Sequence, residues 1–132
     1  MQQLIKKSQD KKYRFYFKIL LFLYLPLMLF ITLMPVDLLA DKSESWLSSL
    51  QFKNEDKVAH FILFFIFTLL LFFSQLFSQK KWLWLLPISL GIGIELLQNA
   101  MNLGRSFDVL DIVANTLGTF AAYAIVTKFF LK

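Results

Sequence analysis

The stretch VAHFILFFIFTLLLFFSQLF, Val58–Phe77, is twenty residues long and carries one ionisable side chain, His60. About twenty helical residues of this kind cross a bilayer core of ~30 Å. Working outward, three more stretches have the same length and character. Phe15–Met34 is broken only by Lys18 near its start. Trp82–Met101 contains one Glu, and Leu110–Phe130 has Asp111 near its start and Lys128 near its end. The runs are continuous rather than alternating pieces of about ten residues, which excludes a transmembrane β-barrel. The reading is all-α: a polytopic membrane protein of four transmembrane helices in one domain, residues 15–132, after a basic tail at 1–14. The connecting outer loops fall at 35–57 and 102–109.

Composition agrees. Of 132 residues, 58% are apolar and 17% aromatic, including sixteen Phe. Soluble domains hold about 45–50% apolar residues, and a chain this short exposes much of its surface. A soluble domain and a disordered tail are therefore excluded. The absence of cysteine removes disulfides, thiolate nucleophiles and iron–sulfur sites. The first run is longer than the ~7–15 apolar residues of a signal peptide, and the nearest match to a cleavage site is Leu38-Leu39-Ala40, so it reads as a retained span. Pro26 and Pro87 lie inside spans, where packing is the simpler role.

Charge sets the orientation. Lys6, Lys7, Lys11, Lys12, Arg14, Lys18, Lys80, Lys81, Lys128 and Lys132 fall on one side with Asp10, for +9. Lys42, Lys53, Lys57 and Arg105 fall on the other, against Asp37, Asp41, Glu44, Glu55, Asp56, Glu95, Asp108 and Asp111, for −4; together these give the net +5. The positive-inside rule then puts both termini in the cytoplasm. The excess is a topology signal and an attraction to anionic lipid; no nucleic acid partner is expected. In the longer outer loop, Trp46, Leu47, Leu50 and Phe52 could line a short helix on the membrane surface, weakened by Ser43, Ser45, Ser48 and Ser49.

Polar side chains collect in the outer half of the spans. Glu95 lies thirteen residues past Trp82, ~20 Å across, and Asn115 lies five past Leu110, ~7–8 Å below the same boundary. His60 sits just inside the second span. Glu95, Gln98 and Asn102 share one side of the third helix. Asp108, Asp111, Asn115, Gly118 and Ala122 trace one stripe on the fourth, and Asp56 and Lys57 stand one turn from His60 on the second. A charge at mid-membrane depth costs about 2.5–3.5 kcal/mol, so Glu95 must be paired, protonated or hydrated. An interhelical hydrogen bond to Asn115 or Gln98 is its structural alternative. Asp108 with Asp111 reads as an N-cap with an acidic first turn, and Gly118 and Ala122 as small packing residues.

Three motifs carry a resemblance. Asp56-Lys57-x-x-His60-Phe61, Gly91-x-Gly93-x-Glu95-x-x-Gln98 and Gly104-Arg105-x-x-Asp108-x-x-Asp111-x-x-x-Asn115-x-x-Gly118 together resemble the VanZ-like family, small bacterial membrane proteins named for a member associated with teicoplanin resistance. The resemblance covers about half the chain. It implies the bacterial plasma membrane and the cell envelope, and it carries the family pattern onto Lys57, His60, Glu95, Gln98, Arg105, Asp108, Asp111 and Asn115. It supplies no reaction.

Three functions stand open. In a binding module, Lys57, Arg105 and a protonated His60 would hold an anionic group of a membrane lipid, a lipid-linked envelope precursor or a lipoglycopeptide. Glu95, Gln98 and Asn115 would orient its neutral part, with Asp108 a further ligand-binding candidate. In a membrane-embedded hydrolase or transferase, Glu95 would be general acid or base, with His60 or Asp111 as partner and Arg105 stabilising charge. A structural or transport subunit is the third, although Thr68, Ser89 and Thr127 trace no polar path through the inner half. Four nearby carboxylates leave a divalent cation open. No spacing such as His-Glu-x-x-His exists, so no metal and no cofactor is assigned. Homo-oligomerisation is also left open.

Overall fold

A computed structural model describes residues 10–34, 55–101 and 107–131. Four helices occupy them: α1 Lys11–Leu33, α2 Glu55–Ser74, α3 Trp82–Met101 and α4 Val109–Phe130. Each is long and apolar enough to cross a membrane. At 1.5 Å per residue they run about 30–35 Å, the thickness of a hydrocarbon core.

The boundaries of α1, α2 and α4 differ from the apolar runs. α1 begins at Lys11, because Asp10 caps it: its side chain accepts the Lys12 N–H at 3.0 Å. α2 begins at Glu55, three residues before the first apolar residue, so Asp56 and Lys57 belong to its first turn rather than to a loop. It also stops at Ser74, not Phe77. Ser74 Oγ donates back to the Leu71 carbonyl at 2.8 Å, and Gln75 turns into the left-handed region at φ 46°. α3 matches its run, and α4 gains Val109 behind its Asp108 cap. The proposed loop helix at Trp46–Phe52 lies outside the described residues.

Packing follows from which faces are small or apolar. α2 is central, with α4 on one side in the most extensive interface and α1 on the other; α3 lies against α4. The α2–α4 contact is close because Gly118 has no side chain. A Cβ there would overlap the Phe61 backbone carbonyl, so the two backbones touch, as small residues allow between membrane helices. Ala122 continues that seam fully buried. Tyr24 on α1 donates to the Leu63 carbonyl at 2.9 Å. Gln98 on α3 donates to the Thr32 carbonyl. Thr32 is in the last turn of α1, where carbonyls have no partner within their own helix, so this bond ties α1 to α3.

The two ends of the bundle differ. Toward one end lie the start of α1, the end of α2, the start of α3 and the end of α4. Arg14, Leu71, Phe72, Gln75, Phe77, Ser78, Lys80, Leu83 and Leu131 surround a cavity of about 260 Å³ there. Phe73 packs edge to face against Phe72 and Phe130, which meet each other at a tilt. Outward, Phe22, Leu23, Phe30, Leu96 and Leu117 are exposed apolar side chains suited to acyl chains. At the other end the core turns polar.

Candidate functional site

The polar end is built by α2, α3 and α4. His60 on α2, Glu95 on α3 and Asn115 on α4 are 1%, 0% and 1% exposed, and Asp111 is also buried. Burying so many hydrogen-bonding groups is costly unless each finds a partner.

Some partners are clear. His60 Nδ1 lies 2.9 Å from Asn115 Oδ1. A carbonyl oxygen only accepts, so with the amide in this orientation Nδ1 carries a proton, and in the neutral ring Nε2 is then a lone-pair acceptor. Lys57 Nζ donates to Asp108 Oδ2 at 2.8 Å and to Asp111 Oδ1 at 3.1 Å, clasping the start of α4 to the start of α2. Asp108 also caps α4, its Oδ1 accepting the Leu110 N–H at 2.8 Å. Glu95 Oε2 accepts the Asp108 backbone N–H at 3.3 Å. That carboxylate thus sits at the positive end of α4. It also lies within electrostatic range of Asp111, His60 and Asp108.

Other atoms in the same cluster have no hydrogen-bond partner among the described residues: His60 Nε2, Glu95 Oε1, Asn115 Nδ2 and, one turn deeper on α4, Thr119 Oγ1. His60 Nε2 faces Asp111 Oδ2 at 3.9 Å, beyond hydrogen-bond range. The Thr119 hydroxyl is distinctive. Those of Thr32, Thr68 and Thr116 each donate to a carbonyl of their own helix four residues back, the usual outlet for threonine in a helix. At Gly91 an added Cβ would stand 3.1 Å from Asn115 Nδ2 and 3.3 Å from Phe64 Cε1. Gly91 therefore lets α3 come close to the Asn115 amide, one turn from Glu95.

The sequence-derived residues divide accordingly. Lys57, His60, Glu95, Asp108, Asp111 and Asn115 meet at one end of the bundle. Gln98 does not join them, because its amide is spent on α1. Lys57, expected to hold an anion, is engaged by two carboxylates instead. Glu95 bonds neither Asn115 nor Gln98; its partner is the α4 backbone. Asn102 and Arg105 lie outside the described residues. Thr119 and Gly91 were not read as parts of the site. Thr119 is four residues past Asn115, and Gly91 four before Glu95, so helical spacing alone would have put both on the right faces. Thr68, Ser89 and Thr127 each bond to a carbonyl of their own helix.

The family profile described as VanZ/LLP1 covers residues 2–131. Neither the curated proteins nor the solved structures contain a match.

Proposed function

The chain belongs to the VanZ/LLP1 family, and from its buried polar cluster we propose that it binds the polar head of a lipid-borne envelope molecule. The observation that carries this reading is the trio of buried atoms without a partner among the described residues, one from each of three helices: His60 Nε2, Glu95 Oε1 and Asn115 Nδ2. They supply two acceptors and a donor, a set suited to hydroxyl, amide or amine groups. Since Lys57 is already neutralised, an anionic part of the ligand falls to Arg105. A lipoglycopeptide such as teicoplanin, with an acyl chain on a hydroxyl- and amide-rich head, belongs to the same ligand class. The basic end of the bundle is assigned to the cytoplasm and the cluster to the outer leaflet of the bacterial plasma membrane by the positive-inside rule.

Native mass spectrometry of the gently purified chain tests the reading. Wild type should retain a lipid-borne ligand. Asn115→Ala and Glu95→Leu should lose it, while Leu96→Ala, on the lipid-exposed face, should keep it. Identical bound-lipid profiles in all four proteins would refute the proposal.

A second reading rests on His60. A ring held through Nδ1, with Nε2 lacking a partner among the described residues, has the orientation of a general base. If the chain is a hydrolase or transferase acting on the head it binds, His60→Gln should abolish turnover of the retained lipid without releasing it. A variant that keeps full turnover removes His60 from any chemistry.

A further inference from the structure

We propose that Asp56, His60 and Asp111 form a binding site for a first-row divalent cation of the zinc or manganese class. The fold creates the site; no sequence spacing announces it. Asp56 and His60 are one turn apart on α2, and Asp111 comes across from α4. One donor atom from each lies within 4.8 Å of the other two. An imidazole with carboxylates is a donor set these cations take.

Two observations separate this from a chance gathering of acids. First, His60 Nε2 is buried, has no hydrogen-bond partner among the described residues and points at Asp111 Oδ2, 3.9 Å away. In the neutral ring, two lone pairs face each other across that gap. Ligands about 2.1 Å from a shared zinc stand roughly 3.4 Å apart at a tetrahedral angle, and farther apart as the angle opens. Second, both ligands are already oriented from behind. His60 Nδ1 is held by Asn115, and Asp111 Oδ1 by Lys57. Metal-binding histidines and carboxylates carry such outer partners, which fix the ring and free one atom for the ion.

His60 Nε2 is also one of the three atoms assigned above to the lipid head, so cation and head group would compete for it, and the test therefore omits lipid. The full chain in detergent, stripped with chelator, is titrated with Zn²⁺, Mn²⁺ and Mg²⁺ by calorimetry. Zinc should bind in one equivalent per chain, at least tenfold tighter than magnesium. His60→Ala and Asp56→Asn should each weaken it at least tenfold, while Leu96→Ala, on the lipid-exposed face, should leave it unchanged. Because the chain has one histidine, the ¹⁵N spectrum of its imidazole reports the site directly in wild type, even if a variant fails to fold: zinc should shift Nε2. Zinc binding that leaves Nε2 unmoved, or that is equally tight in folded Asp56→Asn, would overturn the assignment in favour of a plain His60–Asp111 contact.

Discussion

The same helices make two unlike halves. Toward the basic end, Leu71, Phe72, Leu83 and Val126 form an apolar core, where any set of side chains of similar volume satisfies the same forces. Toward the other end, His60, Glu95, Asp111 and Asn115 are as deeply buried, but each is held by a bond with a direction and a named partner. The first half resembles the lipid around it and gains its stability from shape. The second half has no equivalent in lipid and gains a fixed arrangement of polar atoms. The contrast teaches where tolerance ends: volume matters in one half, identity in the other.

Substitutions can break or sharpen that contrast. The largest effect is expected at the seam joining the halves. Gly118→Val would force the α2 and α4 backbones apart at the Phe61 carbonyl and should cost about 3 kcal/mol or more. Thermal unfolding in detergent would register this as a large drop in Tm or a failure to accumulate. Next comes Asn115→Ala, which strips His60 Nδ1 of its partner in a buried site; a loss of about 1–3 kcal/mol is expected. By comparison, Leu71→Met in the apolar half should cost under about 1.5 kcal/mol. If the Leu71 change proves the more damaging, the distinction between the halves collapses. The smallest effect belongs to Gly93, whose Cβ would meet nothing within 4 Å. Gly93→Ala should be neutral or stabilising by up to about 1 kcal/mol through helix propensity, with unfolding curves as the check.

Much of this was legible in the sequence. Four apolar runs of about twenty residues fixed the number of helices, because only backbone bonded within its own segment survives in lipid. Three- and four-residue spacing placed Asp108, Asp111, Asn115, Gly118 and Ala122 on one stripe of α4, and all but the partly exposed Asp108 are buried. Helix ends were less legible, because caps and ion pairs set them: Asp10 extends α1, Lys57 stays in the first turn of α2, and Ser74 with Gln75 stops α2 early. Partners across helices were not legible at all. Whether Glu95 meets Asn115 or the Asp108 N–H, and whether Gln98 joins the cluster or ties down Thr32, depends on how each helix is rotated against its neighbours. That rotation is decided by close contacts such as Gly118 on Phe61.

The central claim is that a polar cluster from three helices is buried with its imidazole locked by Asn115. The most direct measurement is the ¹⁵N spectrum of the lone histidine, recorded in metal-free wild type and in Asn115→Ala. The account predicts an Nδ1 proton held in a hydrogen bond and protected from solvent exchange, which is lost when Asn115 is removed. A freely exchanging mixture of tautomers, the same in both proteins, would contradict it.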